Sequence, residues 1–196
     1  MSATLVVIAG PPLSGKTTLG KSLQKITGFH YCDSDNLRAV AFGVPTHEEY
    51  KERWKNPENA TKLIRQDMAL AYRILHEVVS LSLEAQRSLI ISATYSSRIS
   101  QKFLKEIADK HKAALSLVVC RIQDETREEI ERRMKRDDNG EFVYGLRTWE
   151  DYQTKRPMYE WPNETGIFSP DEVFVVDTGK SIETYLWLVA NFIFED

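Results

Sequence analysis

The stretch TLVVIAGPPLSGKTT, Thr4 to Thr18, decides how the chain folds. Thr4 to Ala9 is almost wholly apolar, as expected of a strand buried on both faces. GPPLSGKT then fits G-x-x-x-x-G-K-[ST], with Gly10, Gly15, Lys16 and Thr17 in the required places. Beyond it Leu19, Leu23 and Ile26 recur at helical spacing, and Gly28 supplies a C-terminal cap. A buried strand feeding a glycine loop into a helix N-terminus makes an anion site, because unpaired backbone N–H groups and the helix dipole both favour phosphate. Gly10 and Gly15 let the backbone curve, Lys16 brings positive charge to the β- and γ-phosphates, and the Thr17 hydroxyl can ligate magnesium. Leu13, Ser14 and Thr18 complete the expected nucleotide-binding stretch.

Working outward, further strand candidates are His30 to Cys32, Ser88 to Ser92, Ala114 to Arg121 and Val173 to Val176. They alternate with helical segments, the pattern of an α/β domain with a mostly parallel sheet. Asn59 to about Leu83 reads as one long helix, apolar on nearly every side from Leu70 and so expected to be buried against the sheet. Residues 137–147, DDNGEFVYGLR, have two glycines and no clear period, and form a candidate lid.

The 196 residues, 42% hydrophobic, suit one domain spanning 1–196. Lysine and arginine number 26 against 29 acidic residues, a formal charge of -3, which lacks the basic footprint of sequence-independent nucleic-acid binding. Cys32 and Cys120 both fall in strand-like runs, where a thiol behaves as a small hydrophobe; this fits a reducing, cytoplasmic setting. The first residues have no basic leader, and no apolar run reaches the ~18 residues of a membrane span.

Three kinds of phosphate-loop protein are separable. A switch GTPase needs a guanine-reading N-K-x-D, which this chain lacks. Mechanochemical ATPases add an acidic pair after an apolar strand, yet LIISAT and LVVCRI end without one. VFVVD does end in Asp177 but stands near the C-terminus, where the sheet of a small kinase would place it away from the loop; small size and the missing parts favour a kinase.

The segment YCDSDNLR, Tyr31 to Arg38, packs two carboxylates one residue apart. One account is local: Asp33 or Ser34 caps a helix and Asp35 pairs with Arg38. A second comes from resemblance. Through GPPLSGKT, DSDNLR, the ERRMKR helix and the closing VVDTG, the chain resembles the small phosphate-loop kinases with a nucleoside-monophosphate-kinase-like fold. That group includes polynucleotide, gluconate, shikimate and adenylylsulfate kinases, chloramphenicol phosphotransferases and zeta toxins. The resemblance implies a three-layer sandwich around a parallel five-stranded sheet of order 2-3-1-4-5. It also implies that Asp35 orients and deprotonates an acceptor hydroxyl, Asp33 lies near magnesium through water, and Arg38 holds the acceptor.

In the helix after the fourth strand candidate, capped at Asp124, Glu128–Arg132, Glu129–Arg133 and Glu131–Lys135 are i,i+4 pairs. Arg132 and Arg136 share a face beside the lid, a useful placement if an anion arrives between them. The resemblance likewise implies that this pair contacts ATP phosphates, with Arg147 a further candidate. Ser92 stands where many similar kinases have an aspartate, leaving Thr17 and Asp33 as the metal candidates.

Tyr50 and Trp54 fall on one helical face and could stack on a substrate ring or simply cover the core; Trp149, Tyr159 and Trp161 pose the same choice. Asp177, Thr178 and Gly179 would border the base or make an ordinary turn. The expected activity is transfer of the γ-phosphate of Mg-ATP to an acceptor hydroxyl, with Lys16, Asp35 and Arg136 catalytic. The acidic net charge favours a small-molecule acceptor over a polynucleotide 5′ end. The alternative from another class is a nucleotide-binding switch protein that phosphorylates nothing.

Overall fold

The computed structural model describes residues 3–43, 52, 55–137 and 148–194. Strand β1 (Thr4–Ala9) leads through the loop into helix α1 (Lys16–Thr27), which ends at the Gly28 cap as expected. There follow β2 (His30–Asp33), α2 (Ser34–Phe42), α3 (Pro57–Glu84), β3 (Leu89–Ala93), α4 (Arg98–His111) and β4 (Ala114–Arg121). The chain then forms α5 (Arg127–Asp137), α6 (Trp149–Lys155), three short 3-10 turns, β5 (Val173–Asp177) and α7 (Ile182–Phe194).

The strands pair in parallel as one sheet of order β2-β3-β1-β4-β5. This is the expected order. It places β1 at the centre, and Val6, Val7 and Ile8 are fully buried there. Side chains alternate across a strand, so β1 feeds two cores. Leu5, Val7 and Ala9 join Leu75 and Val79 of α3 and Leu104 of α4. Val6 and Ile8 join Leu19 and Leu23 of α1 and Val189 of α7 on the other face. Helices therefore sandwich the sheet.

Helix α3 is less enclosed than its composition suggests. Ala71, Leu75, Val79 and Leu83 are buried at four-residue spacing, whereas Leu70 and Leu81 are exposed. One stripe packs against the sheet, Tyr72 and His76 beside it pack on Tyr95, and the far side with Leu70 and Leu81 meets solvent, as i,i+4 geometry allows of a helix on an outer layer. Among the described residues no helix is long and apolar enough to cross a membrane. Both cysteines are free thiols, and burial pushes the Cys120 thiol up to about 12.

Candidate active site

The loop between β1 and α1 curls against the end of β4. A Cβ on Gly10 would lie 2.5 Å from Ser14 Oγ and 2.6 Å from the Cys120 carbonyl, and Gly10 has φ 155°, so glycine alone fits. Gly15 is the N-cap of α1. Lys16 Nζ donates to the Pro11 carbonyl at 2.7 Å, folding the ammonium back over the loop. Ser14 Oγ is buried and has no hydrogen-bond partner among the described residues. Buried hydroxyls are ordinarily satisfied, so this one is suited to a group that enters the loop. Thr17 and Thr18 stand exposed in the first turn of α1.

The ends of β2 and β3 supply the facing wall. Asp33 pairs in register with Ser92, and alternation turns Tyr31, Asp33 and Ser92 toward the α1 face that Ile90 also occupies. The Tyr31 and Ser92 hydroxyls share a hydrogen bond of 2.7 Å, and Thr17 and Asp33 both lie within hydrogen-bonding reach of the phenol. Asp33 is the N-cap of α2: Oδ1 accepts from Asn36 N at 2.7 Å and Oδ2 accepts from Asn36 Nδ2 at 2.8 Å. The local account of Asp33 is therefore correct, with Asp33 rather than Ser34 as the cap.

Asp35 lies in the first turn of α2 with an open carboxylate, yet the surrounding protein still removes part of its hydration. That desolvation raises its pKa, an effect opposed by Lys16, reinforced by Asp33 and opposed by Arg38. Lys16 of the loop and the buried Arg38 both act on it. From α3, Tyr72 lies within the electrostatic range of the same carboxylate; its hydroxyl accepts from Tyr95 N at 3.1 Å and neighbours Thr94. Tyr159 donates to the Thr94 carbonyl at 2.8 Å, bracing the turn after β3. Loop, cation and carboxylates thus meet at the C-terminal ends of parallel strands, where crevices form in such sheets.

Helix α5 differs in detail from expectation. Thr126, not Asp124, accepts from the Glu129 backbone N–H and caps it. Arg132 pairs with Glu129 rather than Glu128, donating through Nε and Nη2 at 2.8 and 2.7 Å, and Glu131 pairs with Arg127 rather than Lys135. Arg132 thus finds its partner at i,i+3 and Arg127 at i,i+4, both spacings at which side chains on a helix surface meet. Arg133 turns inward. Its Nη1 donates to the Leu13 carbonyl at 2.9 Å, its Nη2 to the Thr178 carbonyl at 2.5 Å, and its Nε to Glu129 at 2.7 Å. Glu129, facing both arginines, is held down to about 2. Thr178 Oγ1 donates to the Ser14 carbonyl at 2.8 Å, so the turn after β5 is tied to the phosphate loop from a second side. Asp177 makes turn chemistry, accepting from Gln123 N and Gly179 N.

The Arg136 side chain, Arg147, Tyr50, Trp54 and lid residues 138–147 lie outside the described residues. Tyr159 and Trp161 cover the core, edge to face at 4.8 Å, and Trp149 stacks on Tyr152 at 5.7 Å.

The sequence profile of a family described as AAA domain matches residues 5–156, which takes in the phosphate loop, both aspartates and α5. The chain belongs to that family. No curated protein sequence matches it. Among solved structures, this AAA domain superposes on a candidate kinase from Chloroflexus aurantiacus with TM-score 0.70 at 18% identity, covering 98% of this chain and 99% of that one. It superposes on a gluconokinase from Sinorhizobium meliloti with TM-score 0.57 at 15% identity, covering 97% and 91%. For the adenylylsulfate (APS) kinase of Mycobacterium tuberculosis, solved with AMPPNP and APS, TM-score is 0.59 at 16% identity, covering 98% of each chain. At these identities the likeness is one of fold: this AAA domain has the phosphate-loop fold of small kinases.

Three residues of this AAA domain's site went unnoticed in the sequence. Tyr31 precedes Asp33 by two residues, so strand alternation already placed them on one face. Arg133 follows the buried Ile130 by three residues, a spacing that turns it inward where Arg132 turns out. Tyr72 had no local signal. Among the described residues no three His, Cys, Asp or Glu side chains gather to hold a metal. The donor set at Thr17 and Asp33 nevertheless fits magnesium, which retains waters and takes one or two protein oxygens beside substrate phosphates.

Proposed function

We propose that the protein transfers the γ-phosphate of Mg-ATP to a hydroxyl of a small-molecule acceptor. The observation that carries this reading is the apposition of the phosphate loop and Asp35, with Lys16 close enough to act on that carboxylate. Nucleotide phosphates would lie along residues 10–18, where Ser14 Oγ has a hydrogen bond to gain and Lys16 can exchange the Pro11 carbonyl for phosphate oxygens. Thr17 and Asp33 would hold magnesium directly or through water, and the ion would spread the charge of the transferring phosphoryl group. Lys16 and Arg136, with Arg132, would meet that charge.

Asp35 would accept the acceptor's proton. Desolvation raises the carboxylate's basicity while Lys16 and Arg38 preserve its ionised form, a balance that suits a general base. Arg38 would contact a polar group of the acceptor, and Tyr72 would border the same pocket. The gluconokinase and the APS kinase among the structural neighbours, the latter solved with APS, support a small acceptor. The formal charge of -3 points the same way.

One experiment tests the whole reading. Labelled γ-phosphate transfer is followed onto a panel of hydroxyl metabolites and a 5′-hydroxyl oligonucleotide, for the wild type and Asp35→Asn. Transfer to a metabolite is expected, and Asp35→Asn should lose about 10²- to 10⁴-fold in rate while binding ATP normally. Wild-type turnover by the variant would sink the base assignment. The neutral Ser92 favours one other reading, a nucleotide-binding protein without an acceptor; ATP binding with no acceptor in any panel raising turnover above hydrolysis would select it.

A further inference from the structure

Four hydroxyl and carboxyl groups converge beside the first turn of α1: Thr17 from the helix, Tyr31 and Asp33 from β2, and Ser92 from β3. The Tyr31 ring reaches this place by lying against α1, where Gly20 leaves it room; a Cβ on Gly20 would come within 2.2 Å of the ring. Ser92 is buried, and its hydroxyl meets the phenol at 2.7 Å. The ring is thus wedged on one side and bonded at its tip.

We infer that Tyr31 is a positioning residue for the divalent cation: its hydroxyl, anchored on Ser92, orients the Thr17 hydroxyl that ligates the ion. The inference rests on the nucleotide-binding reading above. A threonine that gives a lone pair to a cation must send its proton elsewhere, and the Tyr31 oxygen is within reach to accept it. The phenol in turn donates its own hydrogen bond to Ser92 Oγ or to the Asp33 carboxylate. Serine suits the anchor because it adds no charge beside Asp33. An outer partner of this kind typically governs metal affinity by 10- to 100-fold.

Tyr31→Phe removes the hydroxyl and keeps the ring that packs on Gly20. ADP binding to the full chain is measured by calorimetry in EDTA and across a magnesium titration, for the wild type, Tyr31→Phe and Ser92→Ala. In EDTA the Phe variant should bind ADP within about twofold of wild type, whereas its half-saturating magnesium should rise about tenfold. Ser92→Ala should shift magnesium dependence in the same direction by less. An unchanged magnesium dependence in Tyr31→Phe would overturn the inference, and so would an equal loss of ADP affinity with and without magnesium, which would mark a packing role. Should the wild type bind no ADP under either condition, the nucleotide-binding reading itself would fall, and this inference with it.

Discussion

Gly20 lies in the middle of α1, where alanine would raise helix propensity by up to ~1 kcal/mol. Tertiary contact reverses that preference, because the Tyr31 ring occupies the space a Cβ would take. Gly20→Ala is therefore expected to lower stability by ~1–3 kcal/mol, the usual cost of overpacking, as read by thermal or chemical denaturation. A variant as stable as wild type would mean the ring moves freely. At this scale the sequence was partly legible. The loop glycines followed from their motif, and the cap was narrowed to Asp33 or Ser34, of which the structure selects Asp33. The Tyr31–Ser92 bond joins residues 61 apart in sequence, and no local pattern signals a pair that only strand pairing creates.

Among elements, α5 and its contacts illustrate how a charged helix acquires a structural role. Its outer face carries exposed pairs such as Arg127–Glu131, worth little in water. Arg133 spans the Leu13 and Thr178 carbonyls, and Leu13 itself adopts φ 68°, a left-handed conformation unfavourable for leucine. The guanidinium thereby helps hold the loop in its strained shape. Arg133→Ala should cost about 1–3 kcal/mol by chemical denaturation and weaken ADP binding. Arg133→Lys should recover only part of either, since one ammonium cannot match a planar fork to two carbonyls. Full recovery by lysine would show that charge alone suffices. The helix was legible from its charge pattern, but its rotation about its axis was not. That rotation follows from Ile130 docking with Ile122 and Tyr152, a contact made only once β4 and α6 are in place.

At the scale of the molecule, the α3–α4 layer encloses an aromatic group in which one member, His76, titrates in the acid range. His76 stacks near Tyr95 at 6.2 Å between ring centroids, with Phe103 at 4.7 Å. Burial lowers its pKa from 6.5 to about 4. Between those values the unfolded chain binds a proton that the folded chain refuses, so stability is complete above pH 6.5 and falls as pH drops toward 4. The expected loss is roughly 2–3 kcal/mol after allowing for partial solvent contact. Denaturation midpoints across this window should show it, and His76→Phe should flatten the slope; a variant with the wild-type slope would assign the effect to other groups.

The sequence alone determined the strand–loop–helix, the alternation of strands with helices and the loop chemistry, because each depends on neighbours within a few residues. Apolar period, glycine placement and capping are local properties. The two-sided core also follows from alternation along β1. Tertiary structure decided which chemical groups meet: Tyr31 with Ser92, Arg133 with Leu13 and Thr178, and Tyr72 with the Tyr95 backbone. These contacts join elements far apart in the chain. Their partners are selected by strand order, register and helix rotation, which arise from packing the whole core rather than from any one segment.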